Sequence, residues 1–210
     1  MTADTPPPVT GLRGVERVGL TVPDLDQAID FFASVLGAET LYEHGPFRAD
    51  DNWMAVNLGV EARAVARRIA VLRVANGPTL ELFEYERRGG SAAEDLAARR
   101  PPVQSAVGAS HLAFYVEDID AGVESLHAHG LIVLGQPKRV AEGPSAGLAW
   151  VHFLAPWGQQ LELVSYPNGV RAYGSAEPAV WRPGGEAPEP EDRPSAFDAD
   201  GVADADVDPA

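Results

Sequence analysis

Residues 110–122 read SHLAFYVEDIDAG, and residues 16–28, placed 94 positions earlier, read ERVGLTVPDLDQA. Both follow one pattern, x-[RH]-[VL]-[GA]-[LF]-x-V-x-D-[LI]-D-x-[AG], with Arg17 standing where the second copy has His111. In each copy an alternating run predicts a strand, over 15–22 and 110–117. An aspartate then precedes a run of helical period, as a helix N-cap does. Asp24 has Gln27 three residues on, the spacing of a capping box. Leu25, Ile29, Phe32 and Leu36 supply the helical period, and Gly37 ends it. Asp118 and Gly130 play the same parts in the second copy. One strand–helix unit written twice is an internal repeat, and it organises the whole chain.

Each copy continues in the same way. A strand is predicted near 40–44, then a hairpin of 69–74 (IAVLRV) and 79–85 (TLELFEY) turning at ANGP. The second copy has a short strand at 131–134 and a hairpin, LAWVHFL with QQLELVSY, turning at APWG. The predicted order in each half is βαβββ. The expected fold is therefore α+β, two βαβββ modules forming a cupped mixed β-sheet around a central cavity. The first module spans 11–100 and carries a helical insertion at 45–68; the second spans 101–170. Residues 1–10 read as a flexible start and 171–210 as an acidic, Pro/Gly/Ala-rich tail, mostly disordered.

Composition bounds the function. The net charge is −15, and residues 171–210 hold ten acids against three arginines. A nucleic-acid surface needs clustered Lys and Arg, so nucleic acid is not an expected partner. The ARAVARR stretch at 62–68 reads as the solvated face of a helix. No apolar run approaches the roughly 20 residues of a membrane helix, and the first residues carry no signal-peptide pattern. The expected location is cytoplasmic, with no membrane partner. The chain has no cysteine, which removes disulfides, thiolate ligands and a Cys nucleophile. Neither a Ser-His-Asp set nor a Gly-rich phosphate loop with a following Lys is present.

Strand parity selects the candidate residues. Val18, Leu20 and Val22 suit the helix side, which turns Arg17 towards the cup. Leu112, Phe114 and Val116 do the same for His111 and Tyr115. Leu80 and Leu82 leave Glu81 on the cup face, and Leu161 and Leu163 leave Glu162 there. Trp150 and His152 share a face, with Val151 and Phe153 behind them. Arg17, Glu81, His111 and Glu162 thus occupy four pseudo-symmetric positions. A carboxylate on a concave sheet is costly unless paired or metal-bound. Glu81, His111 and Glu162 offer a donor set suited to a divalent Zn, Ni, Co, Mn or Fe. Arg17 has no lone pair to give and cannot be a fourth ligand. Three readings of it stay open: an ion pair with Glu81 or Glu162 in place of a metal, a clamp for an anionic substrate beside the metal, or a degenerate site. His127 and His129 fall in the last turn of a helix, a favourable dipole position, and carry no expected chemistry.

The stretches VGLTVPDLDQAIDFFASVLG, LELFEY, SHLAFYVEDID and LAPWGQQLELV resemble the vicinal oxygen chelate superfamily, which includes glyoxalase I, bleomycin-resistance proteins and extradiol dioxygenases. The resemblance covers about residues 12–168. It implies ligands from the first and last strands of each module, which here are Arg17, Glu81, His111 and Glu162. Arg17 departs from the usual His or Gln. It also implies a homodimer and a small-molecule substrate. By this resemblance, a glyoxalase-like metal-dependent lyase or isomerase is expected, acting by enolate-type proton transfer on a small oxygen-rich or anionic substrate. Glu162 or Glu81 would shuttle the proton, and Arg17 would hold the anionic group. His152, whose position lines the pocket in fosfomycin-modifying relatives, is a candidate base or replacement ligand. The alternatives are a metal-free binding protein of the antibiotic-resistance type, with Trp53, Tyr115 and Trp150 stacking on the ligand, and a dioxygenase, which needs His152 as its second imidazole.

Overall fold

The structure, a computed structural model, describes residues 10, 14–86, 101–143 and 145–166. The tail at 171–210 lies outside the described residues, as does all of the N-terminal segment but Thr10. The first half contains β1 (Arg17–Thr21), α1 (Leu25–Leu36), β2 (Glu39–His44), α2 (Trp53–Leu58), β3 (Ala66–Arg73) and β4 (Thr79–Tyr85). The second contains β5 (Leu112–Tyr115), α3 (Ile119–Ala128), β6 (Ile132–Arg139), β7 (Ala149–Leu154) and β8 (Gln160–Ser165). Each half makes a four-stranded mixed sheet, ordered β1-β4-β3-β2 and β5-β8-β7-β6. The first strand of each half pairs in parallel with the last, and the other pairings are antiparallel.

The two helices start and stop as their caps dictate. Asp24 Oδ1 accepts from the Gln27 backbone N at 2.9 Å. Asp118 Oδ1 accepts from Asp120 N at 2.9 Å and Ala121 N at 3.1 Å. Gly37, at φ 66°, ends α1 by donating to Ala33 O, a left-handed turn that only glycine adopts freely. Each helix lays its apolar stripe on its sheet. Leu25, Ala28, Phe31 and Phe32 of α1 are buried with Leu20, Leu80 and Leu82. Ile119, Val123 and Leu126 of α3 are buried with Val151, Phe153, Leu161 and Leu163. Full burial of a side chain such as Phe32 stabilises by roughly 1.5–3 kcal/mol. Buried residues of both halves share one apolar cluster, and Trp157, from the turn after β7, packs against it, its indole edge-on to Phe31 at 5.5 Å and 6.1 Å from Phe32. A cavity of about 520 Å³ lies between the halves, lined by helix-side residues including Val18, Leu80, Leu112, Phe114 and Leu163.

The structure corrects two elements of the sequence reading. Residues 66–68 are strand, not helix. Two of the arginines read as a helical face are held by neighbouring strands and α1: Arg67 pairs with Glu84 at 2.9 Å, and Arg68 with Glu43 of β2 and Asp26 of α1 at 2.6 Å each. Ala66 and Ile69–Leu72 are buried, a run that suits a central strand. The helical part of the 45–68 insertion is therefore only α2, where Met54 is buried and Trp53 packs edge-on to Phe47. β6 also runs past the predicted end at 134, to Arg139, across a register irregularity between Leu134 and Lys138.

Candidate functional site

The alternation read from the sequence is visible in the burial. Leu80 and Leu82 are buried while Glu81 is half-buried, and Leu161 and Leu163 are buried while Glu162 is half-buried. Gly19 pairs with Glu81 across β1–β4, and Ala113 pairs with Glu162 across β5–β8. The pseudo-symmetry of Arg17 with His111, and of Glu81 with Glu162, is therefore structural as well as textual.

The polar groups form two separate sets. In the first half, an Arg17 guanidinium nitrogen (Nη1) donates to Glu81 Oε1 at 3.3 Å, and Arg17 Nε lies 3.4 Å from Glu16. In the second half, His111, His152 and Glu162 each offer a ligand atom, and these atoms lie within 4.8 Å of one another. Glu81 does not join this group; His152 takes the place assigned to it from sequence. The topology explains the grouping. His152 stands directly opposite Glu162 in the antiparallel β7–β8 ladder. His111 precedes Leu112, the partner of Leu161 in the parallel β5–β8 pair. Three adjacent strands thus put two imidazoles and a carboxylate on one face. The residue of the first half that corresponds to His152 is Val71, opposite Glu81 on β3, and it is buried.

The triad is ordered by its surroundings. The His111 and His152 rings meet edge-on at 5.0 Å, and Trp150 packs edge-on to His152 at 5.1 Å. Burial pushes the His152 imidazole below its usual range; Glu162 opposes this and His111 adds to it. Desolvation thus favours the neutral ring, the form that donates a lone pair. His111 Nε2 lies 3.1 Å from Glu162 Oε2, and His111 Nδ1 lies 3.1 Å from Gln104 Oε1. Two imidazoles and one carboxylate, with neighbours holding the rings, fit a divalent cation of the borderline class.

Tyr115 lines the inter-half cavity and its ring lies 4.8 Å from that of Tyr166; burial pushes its phenol up. Trp53 is on α2, largely solvent-exposed. Sequence reasoning missed Gln104. It sits seven residues before His111 in a loop without periodicity, and no residue-type signal marked it.

The profile of the glyoxalase/bleomycin resistance protein/dioxygenase superfamily matches residues 16–147. The chain belongs to this superfamily. It is 44 % identical, over 178 residues, to a 2-epi-5-epi-valiolone epimerase from Actinomyces sp., a match covering 84 % of this chain and 92 % of that protein. Among solved structures, a glyoxalase family protein from Bacillus cereus superposes with a TM-score of 0.54 at 23 % identity, covering 74 % of this chain and 95 % of that one. A domain of the same superfamily from Frankia sp. superposes with a TM-score of 0.50 at 21 % identity, covering 74 % and 98 %. These two likenesses concern the fold. Among the described residues, no helix is long and apolar enough to cross a membrane.

Proposed function

We propose that this protein is an epimerase that inverts a carbon next to a carbonyl in a small, oxygen-rich substrate, a cyclic polyhydroxy ketone of the valiolone type. The observation that carries this reading is the gathering of His111, His152 and Glu162 on one strand face. The 44 % identity to a valiolone epimerase across nearly all of that protein's length supports the substrate class. His111, His152 and Glu162 would hold a divalent ion. Such an ion supplies Lewis-acid polarisation of a carbonyl oxygen, which acidifies the adjacent C–H.

The protein's own groups do the rest. A carboxylate removes the proton from that carbon, the C–H electrons form the enolate C=C as the carbonyl π electrons pass to oxygen, and a solvent-derived proton is delivered to the opposite face as the carbonyl re-forms. Glu81 is assigned the proton, because Arg17 engages its Oε1 and leaves Oε2 to carry it. Arg17 is about half exposed and donates its remaining N–H groups to substrate oxygens. The homodimer belongs to the same proposal and is checked by sedimentation velocity of the untagged protein.

The test combines metal analysis with deuterium exchange. Untagged protein is expected to retain a divalent ion and to catalyse epimerisation of 2-epi-5-epi-valiolone in D2O, with deuterium entering at the inverted carbon. His152→Ala and Glu162→Gln are expected to lose the ion and at least about 100-fold in rate, as removal of a metal site's support does. Ion-loaded wild type that neither epimerises nor exchanges would sink the proposal. A second reading has a specific observation behind it: two histidines and a carboxylate are also the donor set of iron-dependent oxygenases. Oxygen uptake with Fe(II) and a catechol would favour that reading instead.

A further inference from the structure

The loop before β5 holds a group that decides which nitrogen of His111 is available. Gln104 is half-buried, and its amide is oriented from behind: Gln104 Nε2 donates to the Ser110 backbone carbonyl at 3.1 Å. The reverse orientation would set the amide oxygen against that carbonyl, two acceptors with no proton between them. Gln104 Oε1 must therefore face His111 Nδ1, which lies 3.1 Å away. An acceptor at Nδ1 requires a proton on Nδ1. The neutral ring then carries its lone pair on Nε2, which points at Glu162 Oε2 3.1 Å away. That lone pair and the carboxylate oxygen repel one another unless a positive charge joins them, either a second ring proton or a shared cation, and only the cation leaves the ring neutral. The loop that makes this possible is itself built by turns: Ala106 N donates to Val103 O and Ala109 N to Ala106 O, with Gly108 at φ 89°.

We propose that Gln104 is a positioning residue that fixes His111 in the Nδ1–H form, so that Nε2 and Glu162 present paired acceptors to a divalent cation. This rests on the metal-dependent reading above. Without Gln104 the ring is free to protonate Nε2 and donate to Glu162, which closes the position with an internal hydrogen bond. General experience with groups that orient metal-bound histidines sets the expected loss at about 10–100-fold in ion affinity.

The test reads the tautomer directly in the metal-free full-length protein. Long-range 1H–15N spectra at a pH where the ring is neutral are expected to show His111 as Nδ1–H in wild type and shifted towards Nε2–H in Gln104→Leu. Zn2+ affinity, measured by competition with a chromophoric chelator, is expected to fall 10–100-fold in Gln104→Leu. Gln104→Glu keeps an oxygen for Nδ1 but sets its other oxygen near the Ser110 carbonyl, and is expected to keep the Nδ1–H form with only part of the affinity lost. Loss of loop structure alone would not be rescued in this way. An Nε2–H ring in wild type, or a Gln104→Leu protein with unchanged tautomer and affinity, overturns the assignment. An Nδ1–H ring lost in Gln104→Leu, in a protein whose wild type takes up no Zn2+, Ni2+, Mn2+ or Fe2+, upholds the role of Gln104 and overturns the metal reading alone.

Discussion

Arg17 and His111 occupy one position of a duplicated strand, and Val71 and His152 occupy another. The first half therefore reads Arg, Val, Glu where the second reads His, His, Glu. A guanidinium cannot ligate a cation, so the first half offers charge and hydrogen bonds while the second offers lone pairs. Substituting Arg17 by Ala should separate two effects. The Arg17–Glu81 pair is exposed on the arginine side, and such pairs are worth under about 1 kcal/mol, so the melting temperature should barely move. If Arg17 binds substrate oxygens, KM should rise by about tenfold, the value of one charge-assisted hydrogen bond. An unchanged KM would remove Arg17 from the binding surface. At this scale the sequence was informative wherever parity alone decides: Arg17, Glu81, His111 and Glu162 could be placed by counting along strands. It left open whether Glu81 or His152 joins His111 and Glu162. Which carboxylate meets which imidazole depends on the β7–β8 register, and that pairs His152 with Glu162 and leaves Glu81 to Arg17. Gln104 was out of reach for the same reason, since a loop has no period to count.

The helices and their caps were legible because each cap is a local event, an aspartate accepting from an N–H two or three residues ahead. The strand over Ala66–Arg73 was not legible at its start, because Arg67 and Arg68 are placed by Glu84, Glu43 and Asp26, residues 17 to 42 positions away. The same scale shows where the two copies differ in packing. Gly122 in α3 stands where α1 has the fully buried Ala28. A Cβ at Gly122 would lie 3.0 Å from Leu163 Cδ1 and 3.5 Å from a Val116 methyl. Leu163 is flexible at that end, so Gly122→Ala should stay within about 1 kcal/mol of wild type, helix propensity offsetting crowding. Gly122→Val adds two further methyls against the sheet and should cost about 1–3 kcal/mol. Urea midpoints measured on both variants check this; a neutral Gly122→Val would mean that α3 stands further from β8 than described.

The whole molecule is a repeat that has diverged on its working face and kept its frame. Sheet order, parallel first-to-last strand pairing and helix placement are the same in both halves. Of the three matched polar positions two differ, Arg17 against His111 and Val71 against His152, while Glu81 and Glu162 are the same. The frame was readable from the duplicated stretch because apolar alternation and capping repeat with it. How the halves sit against each other was less readable, since part of the contact is made by a turn residue, Trp157, that no periodicity singles out.

That indole also bridges two folding units whose buried side chains share one apolar cluster. Each half has its own sheet and helix, and ladder hydrogen bonds run within the halves, so heat would melt two bodies of unequal stability at two temperatures if nothing joined them. Trp157 anchors the second half's hairpin on Phe31 and Phe32, so opening either half strips apolar cover from the other. Calorimetry of the native protein should therefore show one cooperative transition, with van't Hoff and calorimetric enthalpies equal. Trp157→Ala should cost about 2–3 kcal/mol, somewhat less than a fully buried aromatic, and should broaden or divide the peak. A single sharp peak in that variant would mean that the coupling is carried elsewhere in the shared core. The repeat thus holds two similar folding units, and one aromatic side chain in a turn is expected to tighten the coupling between them.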